Sequence, residues 1–456
     1  MIMGITRRQF SIVAAIALGT LLNPLNTTMI AVAFSRLQED FQVTYMSISW
    51  LIASFYVASA IGQPIFGRFT DKYGPKRIFM LGLLLVTIAS MLAPLSPNFG
   101  WLIAFRVLQS IGSAALYPAG MSVIRSIVTN NQARVLAILS IFSSTSAGLG
   151  PFLGGVLIHY GDWQLIFIIN FPFIIASLFL AIRMIPRDAD RDNKSNKRMD
   201  YIGMVWFSGS IIMLLVFLLS LPQGVNYYLL VISLAMGIGL YQYQRRVDNP
   251  FIDVIFLKNH RHVSSIYLQF ILVNAIFYSS LFGIPSYLQN IQQFDAKTVG
   301  FIMLSIAGFG VVSTPIAGWW ADRVGPRKPL LVGAASMLLG TISMLLVQDT
   351  SHAIIIFLIL SLIGFSNGFL NIALQTLLYM FVSKSQTGTA SGLFMTSRFL
   401  GTILSSSILA LMFGLEISTQ QLHWMAITCA LISTCLLFLS IRIVPPTNEH
   451  SLTEEQ

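Results

Sequence analysis

The chain has 456 residues, of which 55% are hydrophobic and only 10% charged, against roughly a quarter charged in a soluble domain. That balance excludes a soluble globular protein of this size and implies a polytopic membrane protein. A net charge of +10 would point to nucleic acid in a soluble chain, but here the cations sit between apolar runs, so no nucleic-acid partner is expected.

A membrane-crossing helix needs about 20 apolar residues. Apolar runs at 9–33, 46–66, 78–96, 99–121, 134–158, 163–184, 201–221, 226–243, 263–288, 298–319, 329–347, 352–376, 387–413 and 422–444 predict fourteen spans. Arg7-Arg8 before the first run imitates a signal peptide. No small-residue cleavage site follows, so the run is read as a retained first span. An even count places both termini on one side. Arg36 and Lys297 fall in loops on the opposite face, Arg106 and Arg398 fall inside spans, and the other Lys and Arg flank the N-terminal face. That asymmetry makes the N-terminal face cytoplasmic. Cys429 and Cys435 lie six residues apart within the last run and are expected as core fillers, neither a disulfide nor a metal pair.

The second span runs into Gly67-Arg68-Phe69-Thr70-Asp71-Lys72-Tyr73-Gly74-Pro75-Lys76-Arg77. Gly67 lets two helices approach closely, and Gly74-Pro75 forces a turn. Asp71, set among cations, is placed to bridge to a neighbouring helix end. The turn recurs after span ten as Gly318-Trp319-Trp320-Ala321-Asp322-Arg323-Val324-Gly325-Pro326-Arg327-Lys328. A single copy would read as a basic stop-transfer loop, but the doubled pattern resembles the loop signature of the major facilitator superfamily, present once in each half of those transporters. The resemblance makes Gly67, Asp71, Gly74, Arg77, Gly318, Asp322 and Gly325 the expected conformational latch.

The two turns stand eight spans apart, so spans one to six and nine to fourteen are expected as parallel repeats, with an inserted pair between them. The expected fold class is all-α, a major facilitator fold of two six-helix bundles plus a central helix pair. Its divisions are an N-terminal bundle at 1–185, a charged cytoplasmic linker at 186–200 and the inserted pair at 201–245. An amphipathic cytoplasmic linker at 246–262, a C-terminal bundle at 263–445 and a cytoplasmic tail at 446–456 follow. Six plus two plus six resembles the fourteen-helix branch of the drug:proton antiporters over essentially the whole chain.

Span five carries Ser146-Ala147-Gly148-Leu149-Gly150-Pro151-Phe152-Leu153-Gly154-Gly155. Pro151 removes a backbone donor, and Gly150 and Gly154 make a small-xxx-small face. Ordinary close packing would use the same residues. The run also resembles the antiporter signature of exporting facilitators, which implies a hinge at Gly150, Pro151, Gly154 and Gly155. Span four carries Phe105-Arg106-Val107-Leu108-Gln109-Ser110 and resembles the signature whose arginine is linked to proton transfer, with Ser110 where glycine is usual. An arginine at this depth is a functional candidate by default, and its plain alternative is a clamp on backbone carbonyls of span one. Asn26 in span one stands where the antiporter pattern usually has aspartate. None of the 17 Asp and Glu falls in a span interior, Glu416 being the nearest. Expected coupling or cavity residues are therefore Arg106, Asn26, Gln109, Asn367, Asn371 and Arg398. Arg398 also reads as a snorkelling side chain near a span end. Span nine adds Tyr267, Gln269, Asn274 and Tyr278 as further polar candidates.

There is no phosphate-binding loop, metal-ligand cluster or nucleophile constellation, so neither an enzyme nor an ATP-driven pump is expected, and no cofactor. The resemblance implies a secondary active exporter of small amphiphilic compounds, of the multidrug-efflux and antibiotic-resistance type, working by proton antiport in a bacterial plasma membrane. Its expected partners are an amphiphilic small molecule, a proton or other coupling ion and the lipid bilayer, with a monomeric protein. The missing carboxylate keeps a second reading open: export of anionic or zwitterionic, lipid-like amphiphiles helped by the membrane potential. A non-transporting membrane sensor is the third.

Overall fold

In the computed structural model, residues 6–43, 45–128, 131–188, 199–220, 224, 226–413 and 417–444 are described. Glu416, most of the first charged linker and the tail lie outside them. The described secondary structure is helical throughout.

Twelve helical stretches among the described residues are long and apolar enough to cross a membrane. The expected fourteen are not supported by this count, although every expected span falls on a helix. Expected span eight is Tyr227–Gln244, whose four tyrosines and two glutamines in 18 residues dilute its apolarity. Expected span five lies on the continuous 30-residue helix Gln132–Gly161, in which some side chains lie outside the described ones, so that only the shorter apolar stretches 132–143 and 152–161 are described.

The chain divides into two compact units. The first comprises residues 1–212 together with 384–396, the opening of a helix far downstream. It contains α1 (Arg7–Thr20), α2 (Leu22–Met29), α3 (Phe34–Phe41), α4 (Tyr45–Tyr73), α5 (Pro75–Leu92), α6 (Phe99–Ile127), α7 (Gln132–Gly161), α8 (Leu165–Ile168), α9 (Asn170–Met184) and the start of α10 (Tyr201–Ser220). Both α4 and α5 pack along α6. Between α5 and α6 the backbones nearly touch, since a Cβ on Gly82 would lie 2.8 Å from the carbonyl oxygen of Gly112. Lipid supplies no hydrophobic drive between helices, so small residues and inter-helix hydrogen bonds set such contacts. One such bond runs from Ser177 Oγ to the Ala15 carbonyl, 2.8 Å, and fastens α9 to α1.

The second unit comprises 213–383 and 397–456. It holds the rest of α10, α11 (Tyr227–Gln244), α12 (Val254–Asn259), α13 (Arg261–Asn290), α14 (Ala296–Val324), α15 (Arg327–Ser343), α16 (Ala353–Phe381), most of α17 (Thr387–Phe413) and α18 (Thr419–Arg442). α14 and α16 pack along each other, and a Cβ on Gly364 would strike the Ile306 carbonyl. Cys429 is buried, but Cys435 is exposed on the outer side of α18 and fills no core.

α4 and α14 are built to one plan. Each has 29 residues, contains a proline (Pro64, Pro315) and ends at a left-handed glycine ten positions later, Gly74 at φ 99° and Gly325 at φ 84°. A side chain at either glycine would be strained whatever the space around it. At about 1.5 Å per residue such a helix is some 43 Å long, so it overshoots a hydrocarbon core of about 30 Å. The charged turns therefore clear the apolar layer.

Candidate functional site

At the first charged turn, Asp71 sits two residues from the end of α4 and meets a helix end, that of α17. Its carboxylate accepts from the backbone N–H groups of Gly388 and Thr389, both at 2.8 Å, and from the Thr389 hydroxyl at 2.6 Å. A helix N-terminus presents unpaired N–H groups and the positive end of the macrodipole, which a carboxylate satisfies. The glycines let the helices close to that distance. A Cβ on Gly67 would collide with the Gly388 carbonyl, and one on Gly392 with that of Gln63. Further along, Thr396 Oγ1 donates to the Ala60 carbonyl at 2.8 Å. Arg125 at the end of α6 donates from Nη1 to Thr387 Oγ1 at 2.8 Å, holding the same helix start from another side.

The other half of the turn is anchored by a residue that the sequence reading passed over. Asp188 accepts from the backbone N–H groups of Lys76 (3.0 Å) and Arg77 (2.9 Å), capping α5, and a Cβ on Gly74 would strike its carboxylate. Lys76 returns the tie, its Nζ donating to the carbonyls of Ile182 (3.0 Å) and Ile185 (2.6 Å) at the end of α9. In the sequence, Asp188 opens a linker of mixed charge and carries no mark of a cap.

The second turn is more open. A Cβ on Gly325 would meet no atom within 4 Å, and the Arg323 guanidinium stacks on the Trp319 ring at 4.3 Å. Gly318 and Asp322 lie in the last two turns of α14.

Deep in the first unit, Asn26, Arg106 and Gln109 come together, all at most 1% exposed. Arg106 donates from Nη1 to Gln109 Oε1 (2.6 Å) and from Nη2 to the Asn26 carbonyl (3.3 Å), and its guanidinium lies 4.4 Å from the Phe55 ring centre. Gln109 Nε2 donates to Asn26 Oδ1 (3.2 Å) and Ser90 Oγ (3.1 Å). Asn170 was not foreseen: it exchanges hydrogen bonds with Asn26 in both directions, at 2.9 and 3.0 Å. The Arg106 Nε has no hydrogen-bond partner, and among the described residues no carboxylate pairs with this guanidinium. A fixed cation is thus held by neutral dipoles and an aromatic face. No member of this cluster other than the arginine titrates, so the cluster has no group that takes up and releases a proton near neutral pH.

The remaining expected cavity residues belong to the second unit. Asn371 Nδ2 donates to the Asn367 side-chain oxygen (2.8 Å), and Gln375 donates to the Tyr379 hydroxyl (3.2 Å), forming one stripe along α16. Arg398 is the twelfth residue of α17. From mid-helix it donates through Nε (3.2 Å) and Nη2 (2.8 Å) to the Tyr278 hydroxyl of α13.

The glycines of α7 divide. A Cβ on Gly150 would collide with the Thr28 side chain, and one on Gly154 would come within 2.9 Å of the Met29 carbonyl. At Gly155 the nearest atom is 4.0 Å away. Pro151 lies within α7, and its side chain is outside the described ones.

At the end of the first unit remote from the turn, Arg36 grips Asp162 through Nε (2.9 Å) and Nη2 (2.8 Å), and Trp163 Nε1 donates to Asp40 at 2.6 Å. Those hydrogen bonds hold the Asp162 carboxyl below its usual range and raise Arg36 further above its own.

Twelve long apolar helices among the described residues, with charged turns at their ends and buried polar clusters between them, are those of a multi-pass membrane protein. The chain belongs to the Major Facilitator Superfamily, whose profile matches residues 16–406. It is 41% identical to the MFS-type transporter YwoD of Bacillus subtilis (strain 168), covering 94% of this chain and 95% of that one. Identity is 23% to the riboflavin transporter RibZ of Clostridioides difficile (strain 630), over 91% and 90% of the two chains. It is 24% to the multidrug resistance protein Stp of Mycobacterium tuberculosis (strain CDC 1551 / Oshkosh), over 88% and 75%. The fold is that of the human organic anion transporter MFSD10 (TETRAN), with TM-score 0.71 and 16% identity over 95% of this chain and 100% of that one.

Proposed function

We propose that the protein is a secondary active exporter of small amphiphilic compounds, working by alternating access in the plasma membrane with both termini cytoplasmic. The observation that carries this reading is the Asp71 carboxylate capping α17 at the first charged turn, together with the doubling of that turn. A carboxylate on a helix N-terminus is a contact that forms and breaks as a unit, which suits a latch. Two relatives of this chain, Stp and multidrug resistance protein 3 of Bacillus subtilis, carry multidrug resistance in their names. Export and drug-like substrates are taken from that likeness and from the glycine run of α7.

Proton antiport is the coupling that the antiporter resemblance implies. With Asn26 in place of an acid, the carrier would be one of the carboxylates near helix ends, Asp71 or Asp322, or one at the far rim, such as Glu39 or Asp40. The Arg106 cluster favours a second reading, in which the substrate is anionic and the membrane potential assists its exit, at about 2.3 kcal/mol per charge per 100 mV. Flux of cationic and anionic dyes in proteoliposomes, with pH gradient and potential imposed separately, tests both. Flux driven by a pH gradient alone supports antiport; flux that follows potential alone supports the anion reading. No flux under either gradient overturns the exporter.

A further inference from the structure

The interiors of the described spans hold two arginines, Arg106 and Arg398, and no Asp or Glu, since Asp71 and Asp322 stand two residues from their helix ends. Arg106 is fully sealed, whereas Arg398 is half-buried. Arg398 is the twelfth residue of α17, about 17 Å along the helix at 1.5 Å per residue. That depth is mid-membrane, where a cation is costly and marks a functional site.

Its contact with Tyr278 has a particular shape. Nε and Nη2 form the side-on edge of a guanidinium, the edge that grips the two oxygens of a carboxylate in parallel. Here a single phenol oxygen takes both N–H groups, at 3.2 and 2.8 Å. Tyr278 is also the middle of an aromatic run, its ring centre 5.3 Å from that of Phe277 and 5.5 Å from that of Phe282, with Phe282 45% exposed.

We propose that Arg398 and Tyr278 receive the carboxylate of an aromatic amphiphile. The ligand carboxylate takes the side-on edge with two oxygens, the displaced Tyr278 hydroxyl turns to donate to one of them, and the ligand's ring lies against the exposed aromatic run. The inference rests on the transporter reading and narrows its substrate to organic anions. In the absence of interior carboxylates, both embedded charges repel a cation and favour an anion, and low dielectric enlarges the difference.

The test uses the purified full-length chain and three probes of one aromatic body: pyrenebutyrate, its methyl ester and pyrenebutylammonium, with Kd read by fluorescence polarisation. Wild type is expected to prefer the acid over the ester and the amine at least tenfold. Arg398→Gln is expected to erase that preference, Arg398→Lys to retain part of it because the fork is lost, and Tyr278→Phe to weaken acid binding several-fold while keeping the ring. Protein level and melting temperature are checked for each variant, and Tyr278→Phe removes one oxygen without disturbing packing. Equal affinity for acid and ester in wild type, a preserved preference in Arg398→Gln, or no binding of pyrenebutyrate overturns the proposal. Proteoliposome flux separates the two claims. Transport of a cationic dye without acid preference leaves the exporter standing and removes the receptor pair. Acid-selective binding without transport of any probe does the reverse.

Discussion

Asp71 holds three donors that have few other partners, because two of them are among the first N–H groups of α17. Asp71→Asn keeps one acceptor and loses the charge, which removes the interaction with the helix dipole, worth about 0.3–1 kcal/mol. Folding of a large bundle tolerates that loss. We expect normal protein level and dye efflux reduced at least tenfold; wild-type efflux in that variant counts against the latch. Asp322→Asn is expected to be milder, since the turn around Gly325 is open where that around Gly74 is packed against Asp188. Asn26 offers a second test at this scale. Asn26→Leu leaves Gln109 and Asn170 each short of a partner, at about 1–3 kcal/mol per buried group. Asn26→Asp keeps both donors satisfied and sets an anion beside Arg106, while losing the bonds that the Asn26 amide donates to Asn170 Oδ1 and the Leu22 carbonyl. Melting in detergent should fall for leucine and hold or rise for aspartate. Equal losses would mean that the amide cluster is not what keeps Arg106 in place. The turn residues were legible because the pattern occurs twice, and Arg106 because an apolar run makes a charge conspicuous. Asn170, Ser90 and Asp188 were not, since nothing along the chain marks which distant polar group will meet Asn26 or Lys76.

Among elements, α7 carries the proposed hinge, and its glycines differ in what surrounds them. Gly154→Leu forces its side chain against the backbone of α2, the kind of overpacking that costs about 1–3 kcal/mol or displaces a helix. It should impair efflux and raise passive leak, whereas Gly155→Ala should leave both unchanged, because 4.0 Å is ordinary contact. If the two variants behave alike, the motif has no local mechanism. α3 offers a pH test. The Asp162 carboxyl is held below its ordinary value by Arg36, so its contribution is present above the unfolded carboxylate range, near 3.9, and is lost only as pH falls below it. The clip between α3 and the α7–α8 loop therefore stays closed at pH 5–8. Asp162→Asn should leave the midpoint of any transport pH profile in that window unmoved, and a shifted midpoint would contradict this. Element existence was read well, because apolar length is a strong signal. The count of fourteen is least supported where the signal is weakest, at the tyrosine-rich α11.

For the whole molecule, the repeat of α4 and α14 was visible in the charged turns, and the matching Pro64 and Pro315 extend it. What no periodicity announced is that the first unit recruits residues 384–396. That recruitment bears on biosynthesis. A ribosome adding about 5–20 residues per second needs roughly ten to thirty seconds to travel from the end of the first unit's main stretch to the segment that completes it. Throughout that interval the nascent chain carries Asp71 without its helix end and the Gly67 face without its cover. A chaperone or insertase has that long to hold the site, and a stalled chain ending before residue 384 should be cut by protease at the first charged turn, while one extended past residue 413 should be protected there.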